Sequence, residues 1–427
     1  MNATVTPPAA RPGPPPAYRW AVLVVISLAM FGNYYVYDCI SPMADVLKAQ
    51  LGYSDANIGL LQAIYSVPNI VMVLIGGLIV DRIGTRKATL AFGIVCLAGA
   101  AVTAMAGSLT TMAAGRLIFG LGAESLIVAV TTAVAKWFKG KELSFAFGLN
   151  LTIARLGSFA ALNSPSWASR AFSDWRMPLL ISVAFATFCV TGAIFYWVLE
   201  VRAERNYELA SARPADKVIF SDIFRFGWSY WCIVALCITF YSGIFPFQTF
   251  AVKFFMEAHG VSRETGGFLS SMLTLFAMIC TPLFGLMVDK VGKRSLFMML
   301  GSLLLIPVYL MMAYTHVSLY VPMAMMGVAF SLIPAIMWPS VAYIVEANKL
   351  GTAYGVMTLI QNVGLAGFNF LIGWANDYSG ATAANPTGYN LGMWIFSCLG
   401  FFGLLFAWLL RRNEAGPHAH GLETIRA

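Results

Sequence analysis

The sequence is poor in charged residues. Of its 427 residues only 11% are Asp, Glu, Lys or Arg, whereas an ordinary soluble domain carries roughly 25%. Hydrophobic residues make up 59% of the chain. Length alone would allow two or three soluble domains, but this composition favours long apolar segments buried in a membrane.

Histidine and cysteine patterns of a metal or redox site are missing as well. The four histidines are scattered, and we expect His418 and His420 to be solvated in the C-terminal tail. The seven cysteines show no CxxC or Cys/His spacing, which argues against zinc sites and disulfide frameworks. No nucleophile–base constellation and no phosphate loop is recognisable. We therefore predict no enzyme activity, no cofactor and no metal.

What the sequence does contain is a series of membrane-length apolar runs. A helix that crosses the hydrocarbon core needs about 20 apolar residues. The first run follows a 19-residue tail without a small-residue cleavage site, so we expect it to remain as a helix. We predict twelve spans, near residues 20–40, 58–80, 88–107, 111–135, 143–164, 177–199, 227–251, 265–288, 295–314, 318–342, 352–376 and 391–410.

The net charge of +8 reflects membrane topology. When alternate loops are assigned to the two sides, 20 of the 27 Lys and Arg residues fall on the side of the N-terminus. Five fall on the other side, and two lie within spans. The positive-inside rule then places both termini in the cytoplasm, and we expect no nucleic-acid partner.

The chain carries an internal duplication. A loop that begins at Gly77 and contains Asp81, Arg82 and Arg86 recurs 208 positions later, from Gly285 with Asp289 and Lys290. Duplicated helical membrane proteins are typically transporters. We predict a Pro-rich disordered tail, a six-helix bundle, a cytoplasmic linker, a second six-helix bundle and a cytoplasmic tail, at 1–19, 20–199, 200–226, 227–412 and 413–427.

Charged side chains inside the spans are the sharpest functional signal, because a charge at the bilayer centre normally faces a cavity or a partner. Glu124 and Arg155 are placed at similar depth on consecutive spans. They could hold the ammonium and carboxylate of a zwitterion, or they could form a salt bridge between the two helices. The second half has Ser331 and Asn362 at the aligned positions, which favours the binding role.

The doubled loop and the Arg116-x-x-x-Gly120-x-Gly122 motif of the fourth span resemble signatures of the major facilitator superfamily. The resemblance implies two bundles that expose a central site alternately to each side. It also implies a gating role for charged residues at the helix ends, although these loops could serve topology alone. The predicted gating residues are Asp81, Arg82, Arg86, Arg116, Asp289 and Lys290, with Asp38 near the outer surface.

A closer resemblance extends over both halves. The stretches Gly115–Ser125, Trp137–Leu143 and Ala154–Ser158 are similar to the lysosomal dipeptide transporter branch of that superfamily, as are Phe245–Phe247 and Trp338–Pro339. This resemblance implies that Glu124 binds the amino terminus of a peptide and Arg155 its carboxy terminus. Further predicted lining residues, for which helix packing is the alternative, are Trp338, Tyr65, Asn69, Tyr241, Gln361 and Asn362.

The predicted function is a dipeptide transporter that works by alternating access, as a uniporter and a monomer, in the lipid bilayer. Residues 1–19 contain no acidic dileucine sorting signal, so we expect a bacterial cytoplasmic (inner) membrane rather than a lysosome. Two alternatives are a proton-coupled transporter of another small solute, such as an organic anion, and a membrane sensor that binds peptides without moving them.

Overall fold

The computed structural model describes residues 13–138, 142–207, 225–346, 349–417 and 419–424, and within this part of the chain the regular structure is helical. The N-terminal half contains α1 (Pro16–Asp38), α2 (Ala44–Leu51), α3 (Asp55–Ile83), α4 (Thr85–Ala104), α5 (Leu109–Phe138), α6 (Leu143–Leu162), α7 (Ser164–Trp167) and α8 (Arg176–Asn206). The C-terminal half contains α9 (Trp228–His259), α10 (Arg263–Val291), α11 (Arg294–Tyr314), α12 (Tyr320–Ile344), α13 (Leu350–Tyr378) and α14 (Asn390–Glu414).

Twelve of these helices correspond to the predicted spans. Eleven helical segments are long and apolar enough to cross a membrane, and the bent helix α3 makes a twelfth. Only α2 and α7 are short, and both lie in connections. Because the number of spans is even, both ends of the chain lie on one side of the bundle. We call this the termini side and the opposite one the far side; the assignment of the termini side to the cytoplasm stays a prediction.

The duplication read from the sequence is visible in how corresponding helices begin and end. Ser54 and Ser262 both cap a helix, because their side chains accept a hydrogen bond from the backbone N–H three residues later. Gly84 and Gly292 both have a positive φ, 80° and 72°, directly after α3 and α10. Only glycine adopts this backbone readily, which explains why both copies of the loop keep it.

The packing of the halves differs between the two sides of the bundle. On the termini side, helices of the N-terminal half surround a core of their own, with Val22, Val80 and Trp137 among its members. On the far side, Ile40 and Met43 belong to the same core as the helices of the C-terminal half. The halves therefore share one apolar core on the far side.

The predicted linker and tails differ in part from the structure. Helix α8 continues to Asn206, so the first residues of the predicted linker are helical, and residues 208–224 lie outside the described part, as do residues 1–12. The C-terminal tail packs against the bundle: Leu422 is fully buried, and His420 contacts Glu414 at 2.8 Å. His420 is exposed, as expected, although the tail folds back onto α11. His418 lies outside the described residues.

Candidate functional site

A cavity of about 290 Å³ lies between the two halves. Its size is close to the lower end of ligand pockets, roughly 300–1,000 Å³, and suits a small solute. It is lined from α1, α3, α5 and α6 on one side and from α9, α12 and α13 on the other. The lining residues are Asn33, Tyr34, Tyr37, Asp38, Tyr65, Glu124, Ile127, Arg155, Tyr241, Phe245, Trp338, Thr358, Gln361, Asn362 and Leu365.

All three charged groups of the cavity come from the N-terminal half. They are Asp38 at the end of α1, Glu124 in the middle of α5 and Arg155 on α6. The guanidinium of Arg155 lies 5.5 Å from the ring centre of Tyr34 and 5.3 Å from that of Phe330, so it contacts aromatic rings of both halves. Such cation–π contacts stabilise the charge without using its hydrogen-bond donors.

Glu124 and Arg155 lie in the same cavity but do not bind each other. Among the described residues, no ion pair joins these two side chains, and neither has a hydrogen-bond partner. The described residues therefore do not form the salt bridge between the two helices that the sequence left open as an alternative. Since an ionised group without an opposite charge is costly at this depth, both are available to a charged ligand.

The C-terminal half contributes aromatic and amide groups. The indole N–H of Trp338 donates to the hydroxyl of Tyr241 at 3.0 Å, and the Tyr354 hydroxyl donates to the Trp338 carbonyl at 3.0 Å. The Asn362 side chain donates to the Thr358 carbonyl one turn earlier. These bonds hold the neutral wall in place, opposite the charged wall of the other half.

The structure brings together most of the residues predicted to bind substrate. Asn69 is the exception, because it is fully buried and donates to the Asn362 side chain at 3.4 Å. It joins α3 to α13 next to the cavity without lining it. The predicted residues that line the cavity are Glu124, Arg155, Trp338, Tyr65, Tyr241, Gln361 and Asn362.

The predicted gating residues are dispersed. Asp38 lines the cavity, and Arg116 is buried beside it, donating to the Val36 carbonyl at 2.9 Å, to the carbonyls of Tyr37 and Leu61, and to the Gln62 side chain. Arg116 therefore braces α1 against α3 instead of facing the cavity with Glu124.

The remaining gating residues lie on the termini side. Arg86 pairs with Glu204 at 2.6 Å and Asp289 with Arg294 at 2.7 Å, each within one half. Asp81 and Arg82 lie in the last turn of α3, and Lys290 in the last turn of α10. Their gating role stays a prediction.

Sequence reasoning missed several lining residues and one charged cluster. Among the lining residues, Tyr34, Tyr37 and Phe245 were not predicted as site residues, although the polar aromatic run before Asp38 was a usable signal. The missed cluster, which we call the far-side ion cluster, consists of Asp55, Lys48, Lys253, Glu257, Asp377 and Tyr389.

The far-side ion cluster joins the two halves. The Lys253 ammonium of α9 lies 2.6 Å from the Asp55 carboxylate of α3, and both side chains are fully buried. The Asp377 carboxylate at the end of α13 accepts the backbone N–H groups of Asp55 and Ala56 at 2.9 and 2.7 Å. It therefore stabilises the positive end of the α3 helix dipole.

Close backbone contact accompanies these charges. A Cβ atom on Gly373 of α13 would lie 2.2 Å from the Asp55 carbonyl oxygen, and one on Gly59 of α3 would lie 2.2 Å from that of Asn369. Nearby, Arg263 of α10 binds both oxygens of Asp45 at 2.5 and 2.6 Å. The cavity is therefore sealed on the far side in this conformation.

Comparison with known proteins shows which family has this architecture. The family model described as Major Facilitator Superfamily matches residues 26–253 and 247–424. The lysosomal dipeptide transporter MFSD1 of Homo sapiens is 32% identical over 377 residues, covering 85% of this chain and 81% of that protein. Its Danio rerio counterpart is 33% identical over 376 residues, covering 85% and 82%.

More distant matches share the fold. A probable sulfoacetate transporter of Cupriavidus necator is 22% identical over 401 residues, covering 84% of this chain and 89% of that protein. The crystal structure of a bacterial homolog of the human lysosomal transporter Spinster, in an inward-facing and unoccupied conformation, matches with a TM-score of 0.72 and 15% identity over 93% of this chain and 98% of that one. With twelve apolar spans in two related halves around a central cavity, the chain belongs to the Major Facilitator Superfamily and is a membrane transporter, not an enzyme.

Proposed function

We propose that this transporter moves dipeptides across the membrane. The observation that carries the proposal is the pair Glu124 and Arg155, two opposite charges of one cavity that form no ion pair and no hydrogen bond among the described residues. A free dipeptide has an ammonium at one end and a carboxylate at the other, about 7 Å apart at a reach of about 3.5 Å per residue. It would supply the oppositely charged group that each side chain lacks.

The size of the cavity and the similar proteins support the same substrate. About 290 Å³ accommodates on the order of ten non-hydrogen atoms if each takes roughly the 30 Å³ of a water molecule, which is the scale of a dipeptide backbone. Relatives at 32–33% identity are named dipeptide transporters. A dianionic substrate, by contrast, would meet two carboxylates, Asp38 and Glu124, and a single cation.

The transport cycle we propose is alternating access. In the conformation described, the far-side ion cluster and the shared core close the far side, while the N-terminal half keeps a separate core on the termini side. Rocking of the halves would break the far-side contacts and expose the cavity to that side. We place the termini in the cytoplasm from the charge distribution, and we propose a bacterial cytoplasmic membrane as the location.

The first experiment is a thermal-shift titration of the purified transporter with Ala-Ala and with its N-acetylated and C-amidated forms. We expect stabilisation by Ala-Ala and its loss when either terminus is blocked. Equal stabilisation by the blocked peptides would contradict recognition of the two termini. A dicarboxylate serves as the comparison ligand, and stabilisation by it alone would exclude the dipeptide.

Substitutions then test which side chain binds which terminus of the peptide. A hydrogen bond to a charged group contributes about 1.5–3 kcal/mol, so Glu124→Gln and Arg155→Ala should each weaken Ala-Ala binding roughly 10- to 150-fold. Glu264→Gln, the same change at an exposed site on the far side, is the matched control. Acetylation of the amino terminus should cost little further affinity in Glu124→Gln, because the partner of the ammonium is already gone.

We further propose uniport. If Glu124 is occupied by the peptide ammonium, it is not free to carry a proton, and Asp38 is the remaining acid of the cavity. Peptide uptake into proteoliposomes should therefore follow the peptide gradient and persist when a protonophore collapses the pH gradient. Accumulation of peptide against its own gradient, driven by an imposed pH gradient, would show proton coupling instead.

A further inference from the structure

Aromatic rings hold the Arg155 guanidinium in place. Among the described residues it forms no ion pair and no hydrogen bond, and it contacts the rings of Tyr34 at 5.5 Å and Phe330 at 5.3 Å. An arginine side chain has many rotamers, so a guanidinium without such contacts would sample several positions in the cavity. The two rings therefore restrict where the positive charge lies.

The two rings come from different halves of the transporter. Tyr34 belongs to α1, in the same half as Arg155, and it lines the cavity. Phe330 belongs to α12 of the other half. It is only 5% exposed and is not among the lining residues. Phe330 can therefore influence a ligand in the cavity through Arg155, but not by direct contact.

A group of aromatic rings in the C-terminal half fixes the position of Phe330. Its ring centre lies 6.3 Å from that of Phe240, with the ring planes 13° apart, and 5.8 Å from that of Phe245, with the planes 80° apart. Phe245 in turn stacks on Tyr241 at 5.6 Å. Stacked and edge-to-face arrangements are the ones that aromatic pairs prefer. The Phe330 ring therefore has a fixed orientation next to the guanidinium.

The aromatic contact leaves the hydrogen-bond donors of Arg155 free. The attraction between a guanidinium and a ring face is electrostatic and uses no N–H donor. The N–H donors of a guanidinium form a planar fork that matches a carboxylate. A bidentate bond requires this fork to point at the carboxylate, so a fixed guanidinium raises the affinity for that group in particular.

We propose that Phe330 is a positioning residue for recognition of the substrate carboxylate. It holds the Arg155 guanidinium where the carboxy terminus of a peptide binds, so that both halves build this end of the site. The inference rests on the proposed function, which gives Arg155 a role but assigns none to Phe330. The competing explanation is that Phe330 only packs α12 against α9, through Phe240 and Phe245.

The test measures the dissociation constants of Ala-Ala, its C-amidated form and its N-acetylated form. The constant of the amidated peptide divided by that of Ala-Ala is the carboxylate ratio, which reports on Arg155. The constant of the acetylated peptide divided by that of Ala-Ala is the ammonium ratio, which reports on Glu124. A general loss of stability or affinity changes numerator and denominator alike.

Both ratios are measured on the wild type, on Phe330→Leu and on a protein with a ring-trifluorinated phenylalanine in place of Phe330. Fluorine withdraws electron density, so the face of the fluorinated ring attracts a cation less strongly, while the shape of the side chain changes little. Phe247→Leu is the matched control, because Phe247 is a similarly buried ring of α9 that packs against other rings of the C-terminal half.

We expect the carboxylate ratio to fall about fivefold in Phe330→Leu and to fall in the fluorinated protein as well. The ammonium ratio should stay unchanged in both, and Phe247→Leu should keep both ratios even if its melting temperature is lower. A wild-type carboxylate ratio in the fluorinated protein would overturn the inference and assign Phe330 a packing role. This result decides the question even if Phe330→Leu does not fold. An equal fall of both ratios would indicate a general distortion of the cavity and would overturn it too.

The outcomes separate the inference from the function on which it rests. If the wild type has a large carboxylate ratio that neither change at Phe330 alters, recognition of the peptide termini holds and only the role of Phe330 fails. If the wild-type carboxylate ratio is near one, the proposed recognition of the carboxy terminus and the inference fail together.

Discussion

Replacement of Lys253 by methionine tests whether the far-side ion cluster holds the cavity closed. Lys253 and Asp55 are fully buried and 2.6 Å apart across the two halves. Removing one partner of a buried ion pair costs about 3–5 kcal/mol, because the other charge is left without compensation. Lys48 remains 3.3 Å from Asp55, so we expect the lower value, about 3 kcal/mol.

The loss of the Lys253–Asp55 ion pair destabilises only the conformation that is closed on the far side. The pair exists only while the halves touch on the far side, so Lys253→Met should shift the equilibrium towards the far-side-open state by about 3 kcal/mol, or roughly 150-fold. The assay is a distance measurement between spin labels at Arg170 and Ala384, which are exposed on the far side, one in each half. We expect a longer distance to become the main population.

The controls separate a shifted equilibrium from general damage. Lys349→Met removes a surface pair with Glu346 within one half, which contributes at most about 1 kcal/mol, and it should leave the distances unchanged. The double variant Asp55→Asn/Lys253→Met removes both charges and should lie closer to the wild type than Lys253→Met alone. Unchanged distances in Lys253→Met, with the protein folded, would refute the reasoning.

Three further predictions follow from other contacts. Gly373→Ala places a Cβ atom against the Asp55 carbonyl oxygen, and it should cost about 1–3 kcal/mol of far-side closure, measured with the same spin labels; a distance equal to that of the wild type would contradict the close contact. Arg116→Ala leaves buried acceptors without donors, and it should lower the free energy of unfolding by about 3 kcal/mol or more, measured by the melting temperature of the ligand-free protein; an unchanged melting temperature would argue against the brace. Truncation after Gly416 removes the buried Leu422 and the Glu423 side chain that accepts the Ser295 N–H of α11. It should lower the free energy of unfolding by about 2–4 kcal/mol, seen as a lower melting temperature, with peptide affinity retained. A loss of affinity at an unchanged melting temperature would instead place the tail at the binding site.

Part of the candidate site could be predicted because its signal is local. Glu124 and Arg155 stand out as charges within apolar runs, and in lipid such charges are tolerated only where they face a cavity or a partner. Thr358, Gln361 and Asn362 of α13 share one face by their helical spacing, and all three line the cavity.

For other residues the sequence pattern does not tell whether the side chain faces the cavity or binds a neighbouring helix. Arg116 and Glu124 are eight residues apart on one helix, a spacing of about two turns that places them on a common face. Yet Arg116 donates to backbone carbonyls of α1 and α3, while Glu124 lines the cavity. A guanidinium reaches several ångströms from its helix, so neighbouring helices decide where it ends. Asn69 similarly donates a hydrogen bond to the Asn362 side chain of the opposite half and does not line the cavity.

The sequence by itself determined the spans, the two related halves and the depth of the buried charges, because a bilayer requires each spanning segment to be apolar along its own length. The far-side ion cluster was decided only by tertiary structure. Asp55 and Lys253 are 198 residues apart, and in sequence each is an ordinary charge near a helix end. They become a buried pair because α3, α9 and α13 meet there, and that meeting depends on how one half packs against the other.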